Sequence, residues 1–154
     1  MTEQAVLGLD LGTTEAKALL VSVDGRVLGL GRAPIATDLG SDGRAEQDPR
    51  AWWAAIAGAT RQATSVATTR GTVEVIAVCG VGQGPTLAAV DERGGPVRPA
   101  ITWQDRRVGG AGFGLLPKLA WLATADPAGS ANARWLLASW DALGLWLSGE
   151  CYAR

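Results

Sequence analysis

Five residues near the amino terminus are of the types that could bind a phosphate group together. Asp10, Gly12, Thr13, Thr14 and Lys17 lie within eight residues, between two apolar runs. A glycine lets backbone amides approach an anion, threonine hydroxyls donate hydrogen bonds, and lysine supplies a positive charge. An aspartate beside them could hold Mg²⁺, which prefers oxygen ligands and keeps much of its water. The same stretch is also compatible with an ordinary hairpin whose aspartate caps the turn.

Composition limits the other kinds of chemistry. The chain has 154 residues, of which 47% are apolar and 19% charged, with a net charge of −1. This balance predicts a soluble globular protein with no nucleic-acid or membrane partner. The absence of histidine excludes histidine-based metal sites and a Ser-His-Asp triad. The only cysteines are Cys79 and Cys151. They form no disulfide framework, so we expect a cytoplasmic setting and a buried Cys79.

Three apolar runs must position these five candidate phosphate-binding residues. Ala5–Leu9, Ala16–Val23 and Arg26–Ile35 are separated by LGTT and by Asp24-Gly25. An Asp-Gly pair between apolar runs favours a hairpin, so the three runs predict an antiparallel meander.

A polar loop and a helix are expected next. The loop is TDLGSDGRAEQ, and Asp48 and Pro49 are typical of the start of a helix. Apolar residues at helical spacing predict one buried face, and Gly71 is the expected stop.

The second half of the chain alternates apolar runs with helical patterns. Val73–Cys79 is rich in Val and Ile, which predicts a strand covered on both faces. The remaining predicted elements are a strand at Thr86–Val90, a return strand ending near Pro99, a helix at Leu115–Ala125, a strand at Trp135–Ala138, and a last helix capped by Ser139 and ended by Gly149. The order indicates an α/β fold in which a three-stranded antiparallel meander precedes parallel strands and helices.

Several segments, in order, resemble the FGGY carbohydrate kinases. They are DLGTTEAK at Asp10–Lys17, AEQDPRAWW at Ala45–Trp53, GVGQGPTLAAVDERGGPVRPAITWQDRR at Gly80–Arg107, LPKLAWL at Leu116–Leu122, and LLASWDALGLWLSGE at Leu136–Glu150. The resemblance covers nearly the whole chain. It implies the ribonuclease-H-like lobe of the actin and hexokinase type, with ATP and Mg²⁺ held in a cleft between two lobes.

The resemblance also implies roles for individual residues. Asp10 matches the metal-associated aspartate, and Gly12, Thr13, Thr14 and Lys17 match the phosphate-binding turn. Gln83, Trp103, Asp105 and Arg107 match the side that binds a sugar or polyol. The general base is expected in a C-terminal lobe, so no catalytic residue is assigned within this chain.

Alternatives stay open at several of these positions. Asp105 and Arg107 could contact substrate or simply pair with each other. The other six tryptophans are expected in the core. Gly84-Pro85 departs from the family pattern, because neither residue can donate a side-chain hydrogen bond to a sugar, and VGGAGFGL is shorter than the family's usual segment.

Length sets the last expectations. At 154 residues the chain is expected to be one truncated N-terminal lobe, inactive alone, of an ATP-dependent carbohydrate kinase. The alternative is a non-catalytic nucleotide-sensing or interaction module derived from such a kinase. Either way, exposed apolar surface predicts a possible homodimer.

Overall fold

The computed structural model of the chain describes residues 2–69, 71–108 and 114–151. The strands are β1 (Glu3–Leu11), β2 (Glu15–Ser22), β3 (Val27–Pro34), β4 (Asp38–Leu39), β5 (Ala45–Gln47), β6 (Val73–Gly82), β7 (Leu87–Val90), β8 (Ala100–Ile101) and β9 (Trp135–Ala138). The helices are α1 (Pro49–Thr68), α2 (Leu116–Ala125), α3 (Pro127–Ser130) and α4 (Ser139–Ser148). Most of the short segment VGGAGFGL lies outside the described residues.

The chain divides into two compact units. Unit 1 contains Met1–Ile35 and Ala51–Gly82, and unit 2 contains Ala36–Arg50 and Gln83–Arg154. No helix in the described ranges is both long enough and apolar enough to cross a membrane.

Unit 1 is built on a four-stranded sheet in the order β3-β2-β1-β6. The antiparallel meander of β1, β2 and β3 is confirmed, and β6 runs parallel to β1. Gly25 takes a φ of 89° in the turn between β2 and β3, a conformation that suits glycine.

Helix α1 packs on this meander through its small residues. Asp48 accepts a hydrogen bond from the Arg50 amide at 2.9 Å, as expected of a residue at a helix start. Trp52 and Ala59 are fully buried. A Cβ added at Gly31 would overlap the Ala59 carbonyl, so glycine in β3 lets the helix backbone lie directly on the strand.

Strand β6 corrects two predictions. Its run of Val and Ile was predicted to be covered on both faces, yet Ile76 and Val78 are about half exposed, at 49% and 50%. Cys79 is likewise exposed rather than buried. The reason is that β6 is the last strand of its sheet, and no described element covers it. An apolar pattern indicates that a strand would gain from burial, but it does not show whether another element packs on it.

Unit 2 is built on an antiparallel sheet in the order β4-β5-β8-β7-β9, so among the described strands the parallel arrangement predicted after the meander holds for β6 alone. The segment predicted as a polar loop instead contributes β4 and β5, because β5 pairs with β8 more than fifty residues later. The predicted return strand is reduced to one bridge between Val90 and Pro96, and the strand β8 begins only at Ala100. Leu87 and Ile101 of this sheet pack with Leu122 of α2 in a small apolar cluster.

The ends of helix α4 were predicted in part. Gly149 ends the helix in the left-handed conformation, with φ of 76°, as expected. Ser139, however, is the first helical residue rather than the cap, and its hydroxyl donates to the Gln83 carbonyl. The side chain is buried and bound to the backbone of a residue 56 positions earlier in the chain, which a local sequence pattern could not indicate.

Candidate functional site

The five candidate phosphate-binding residues lie at one end of the β1–β2 hairpin in unit 1. β1 ends at Leu11 and β2 begins at Glu15, so Gly12, Thr13 and Thr14 form the connection. The Gly12 amide donates to the Glu15 carbonyl at 3.1 Å. A Cβ at Gly12 would stand 2.7 Å from the same oxygen, so the closeness of this turn requires glycine.

A row of charges crosses the sheet beside this turn. Asp10 stands opposite Lys17 in the β1–β2 register, and Lys17 stands opposite Arg32 in the β2–β3 register. The Lys17 ammonium lies 3.4 Å from carboxylate oxygens of both Asp10 and Glu15. The side chains of Asp10 and Lys17 are 43% and 37% exposed, which leaves both able to meet a ligand from solvent. An apolar recess of 340 Å³ adjoins both residues.

Trp103 and Gln83 belong to unit 2 and differ in accessibility. Trp103 is 46% exposed, and its backbone amide donates to the Thr86 hydroxyl at 3.2 Å. Gln83 is 8% exposed, and its side-chain Nε2 donates to the Gln47 side-chain Oε1 at 2.6 Å. The structure therefore offers the Trp103 side chain to solvent and holds Gln83 inside a hydrogen-bond network.

Asp105 and Arg107 pair with each other, one of the two arrangements left open above. Arg107 Nη2 donates to Asp105 Oδ2 at 2.6 Å, and the Ala45 amide donates to the same oxygen at 3.0 Å. Burial raises the pKa of the Asp105 carboxyl, but the hydrogen bonds from Arg107 and Ala45 outweigh it, so the pKa lies below its usual value. Burial likewise opposes the charge of Arg107, whose hydrogen bonds to Asp105 and Glu46 nevertheless raise its pKa.

Three further charged residues in this region were missed by the sequence reasoning. Glu46 accepts from Arg98 and Arg107, and Lys118 is 5% exposed. Burial lowers the pKa of the Lys118 ammonium, and the charge of Asp105 partly opposes that effect. Glu46 and Lys118 stand inside EQDP and LPKL, so the motifs themselves contained the signal. Arg98 also lies inside a quoted segment, Gly80–Arg107, but no role was assigned to it.

Two tryptophans predicted in the core lie at the surface. Trp53 and Trp140 are each 43% exposed, whereas Trp52 is fully buried as expected. The Trp140 ring packs against Gly84, where an added Cβ would lie 2.5 Å from Cζ3. A side chain at residue 84 would therefore require the indole to move.

The sequence is similar to that of known carbohydrate kinases. Residues 5–115 match the FGGY family of carbohydrate kinases, N-terminal domain. The chain is 42% identical over 115 residues to a xylulose kinase of Streptomyces rubiginosus, covering 74% of this chain and 22% of that protein. It is 37% identical over 109 residues to a glycerol kinase of Chromobacterium violaceum, covering 70% of this chain and 21% of that protein.

The fold is similar to that of a solved carbohydrate kinase structure. The crystal structure of xylulose kinase from Rhodospirillum rubrum superposes with a TM-score of 0.85 at 26% identity, covering 95% of this chain and 34% of that one. The α/β fold class predicted from the sequence is thereby confirmed. The chain spans about a fifth of the length of the two curated relatives and about a third of the solved structure.

Proposed function

The chain belongs to the FGGY family of carbohydrate kinases, and on that basis we propose that it supplies the first phosphate-binding turn and an acceptor-binding surface of an ATP-dependent kinase. The reaction moves the terminal phosphoryl group of ATP to a hydroxyl of a sugar or polyol. The tight glycine turn flanked by Asp10 and Lys17 is the observation that carries the proposal. No nucleic-acid partner is proposed, because the net charge is −1.

The proposed roles at the turn follow from its chemistry. The Thr13 and Thr14 hydroxyls donate to phosphate oxygens, and Lys17 adds a point charge. Gly12 keeps the turn tight, because its amide already donates to the Glu15 carbonyl. These groups stand at the solvent-facing end of a hairpin, so a nucleotide can reach them without unfolding the sheet.

Asp10 suits Mg²⁺ as the one protein ligand of an ion that keeps most of its waters. The described residues contain no group of three or more His, Cys, Asp or Glu side chains able to hold a metal. Mg²⁺ bound with substrate phosphates typically uses one or two carboxylates and keeps several waters. A half-exposed Asp10 carboxylate, held among the described residues by Lys17 alone at 3.4 Å, suits that mode. When bound, the ion would neutralise charge on the phosphates.

On the acceptor side, we assign direct contact to Trp103 alone. Its exposed indole offers an apolar face of the kind that packs against the C–H bonds of a sugar. Asp105 and Arg107 are occupied by each other, and Gln83 is occupied by Gln47, which supports a role for all three in holding the loop. Cytoplasmic localisation stays a proposal, with which the two free cysteines are consistent.

Calorimetry of this chain with Mg·ADP tests the proposed turn. We expect binding in the millimolar range or weaker, abolished by Asp10→Ala because the metal then loses its protein ligand. Asp24→Ala is the matched control, since Asp24 is also exposed in unit 1 but lies in the β2–β3 turn. Equal binding by wild type and Asp10→Ala would contradict the assignment of Asp10, and no heat in the wild type would contradict the proposed turn.

A second candidate function, an interaction module, is favoured by β6. Both faces of this strand are exposed, and no strand of residues 2–69, 71–108 and 114–151 pairs with its outer edge. Beyond Glu74 the strand has no charge or proline of the kind that usually protects a sheet edge. We propose that a second copy adds here. Antiparallel pairing about Ala77 would set Glu74 opposite Gly80 and keep like charges apart.

Sedimentation analysis tests the proposed homodimer. Val78→Lys is expected to give a monomer where the wild type gives a dimer, because a lysine on an exposed strand opposes pairing. Val23→Lys, at a residue that is 64% exposed in the β2–β3 turn, should leave the mass unchanged. A monomeric wild type, or a dimer that survives Val78→Lys, would show that β6 is not the interface.

A further inference from the structure

Glu46 joins two arginines that come from different parts of unit 2. Its Oε1 accepts from Arg98 Nη2 at 2.6 Å and from Arg107 Nη2 at 2.6 Å. The side chains of Glu46 and Arg98 are each 8% exposed, and that of Arg107 is 16% exposed. One buried carboxylate oxygen therefore bridges two guanidinium groups, so removing Glu46 would leave buried positive charge without its partner.

Trp121 completes the cluster from helix α2. The guanidinium carbon of Arg107 lies 4.5 Å from the centre of the Trp121 ring, and that of Arg98 lies 5.7 Å away. An aromatic face attracts cations, so the ring and Glu46 together stabilise two positive groups at close range. The EQDP, WQDRR and LPKLAWL segments thus meet in one cluster.

The cluster continues into the loop that carries Trp103. Arg107 binds Asp105 through Nε and Nη2, and the Asp105 amide donates to the Thr102 carbonyl at 3.3 Å. The Thr102 hydroxyl donates to the Ala45 carbonyl at 2.8 Å. Ala45 directly precedes Glu46 in β5, so the strand holds this loop through its backbone and through the Glu46 side chain.

We infer that Glu46 is a positioning residue for Trp103, the residue proposed above to contact the acceptor. It acts through Arg107 and Asp105, and it fixes the loop on which the exposed indole stands. The inference rests on the proposed function only in taking Trp103 as the residue that contacts the acceptor.

Removing the charge of Glu46 leaves its partners poorly satisfied. Arg98 Nε and Nη1 make no hydrogen bond within the described residues, although Nη1 lies 3.2 Å from Asp126. Without Glu46, Arg98 and Arg107 would repel each other with no carboxylate between them. Arg107 would then shift relative to Asp105, and the loop from Thr102 onward would lose its support.

Amide hydrogen exchange of the full chain, read by NMR, tests this inference. In Glu46→Gln, which keeps the size of the side chain, the Trp103 amide should exchange about tenfold faster, the sign of a local opening. The Trp103 indole resonance should also shift, while that of Trp52 in unit 1 stays in place. Glu92→Gln is the matched control, because Glu92 is an exposed glutamate of the same unit.

Two results would overturn the inference. One is a folded Glu46→Gln chain whose Trp103 amide and indole are unchanged. The other is equal acceleration at every amide of unit 2, which would mark Glu46 as a general stabiliser. If Glu46→Gln does not fold, Arg107→Lys gives the same readout, since lysine keeps the charge and loses the two-pronged contact. Failure of the wild type to bind any sugar would count against the proposed function and leave this result standing.

Discussion

Asp105→Asn is expected to destabilise unit 2 by about 3–5 kcal/mol, the usual cost of removing one partner of a buried ion pair. The Asp105 side chain is fully buried and accepts from both Arg107 and the Ala45 amide. Asparagine could still accept from Ala45, but its NH₂ group would face the guanidinium of Arg107. Thermal unfolding followed by circular dichroism measures the loss.

The control for this variant is an aspartate–arginine pair at the surface of the same unit. Asp38 binds Arg44 at 2.8 Å, yet the Asp38 side chain is 63% exposed. Asp38→Asn should therefore cost about 1 kcal/mol or less, as exposed pairs do. If the two variants lost equal stability, burial would not be the source of the Asp105 effect.

The pH dependence of the same pair has a definite sign. The pKa of the Asp105 carboxyl is lowered in the folded chain, so folding favours its ionised form. Its contribution to stability is complete above the unfolded pKa of about 3.9 and is lost as the pH falls through the folded value. The unfolding temperatures of wild type and Asp105→Asn should therefore converge in acid. A constant difference down to the folded pKa and below would contradict the ion-pair assignment.

Gly31→Ala is expected to destabilise unit 1 strongly. A methyl group there would overlap the Ala59 carbonyl of α1, and backbone on both sides cannot move aside as a flexible side chain could. Overpacking usually costs about 1–3 kcal/mol and occasionally more, and we expect the upper end or beyond. Urea unfolding of the purified variant measures the change.

Gly8→Ala is the matched control for Gly31→Ala. Gly8 also lies in a strand of unit 1, but a Cβ there would meet its nearest neighbour, the Leu19 carbonyl, at an ordinary 3.7 Å. That variant should be nearly neutral or slightly stabilising. If Gly31→Ala behaved like Gly8→Ala, helix α1 would have to lie further from β3 than described.

Local signals carried most of the fold prediction. Asp24-Gly25 fixed the β2–β3 turn, Pro49 marked the start of α1, and Gly149 marked the end of α4. Each of these acts through the backbone of a few neighbouring residues. The turn between β1 and β2 was predicted for the same reason, because its residues are close in sequence, and phosphate binding by this turn stays a prediction.

The errors arose where distant residues decide the outcome. β4 and β5 have only two and three residues, and β5 exists because it pairs with β8. The exposure of Cys79 depends on what adjoins β6, which an apolar run cannot report. Glu46 was missed because its two arginine partners lie 52 and 61 residues further along the chain.

The division of the chain between the two units also has a consequence for synthesis on the ribosome. Unit 2 takes Ala36–Arg50 from before most of α1 and the remainder from after β6. A nascent chain that has passed residue 82 contains every residue of unit 1, whereas Glu46 must still wait for Arg98, Arg107 and Trp121. The first segment of unit 2 therefore leaves the ribosome well before its partners, and no single break in the chain can separate the two units intact.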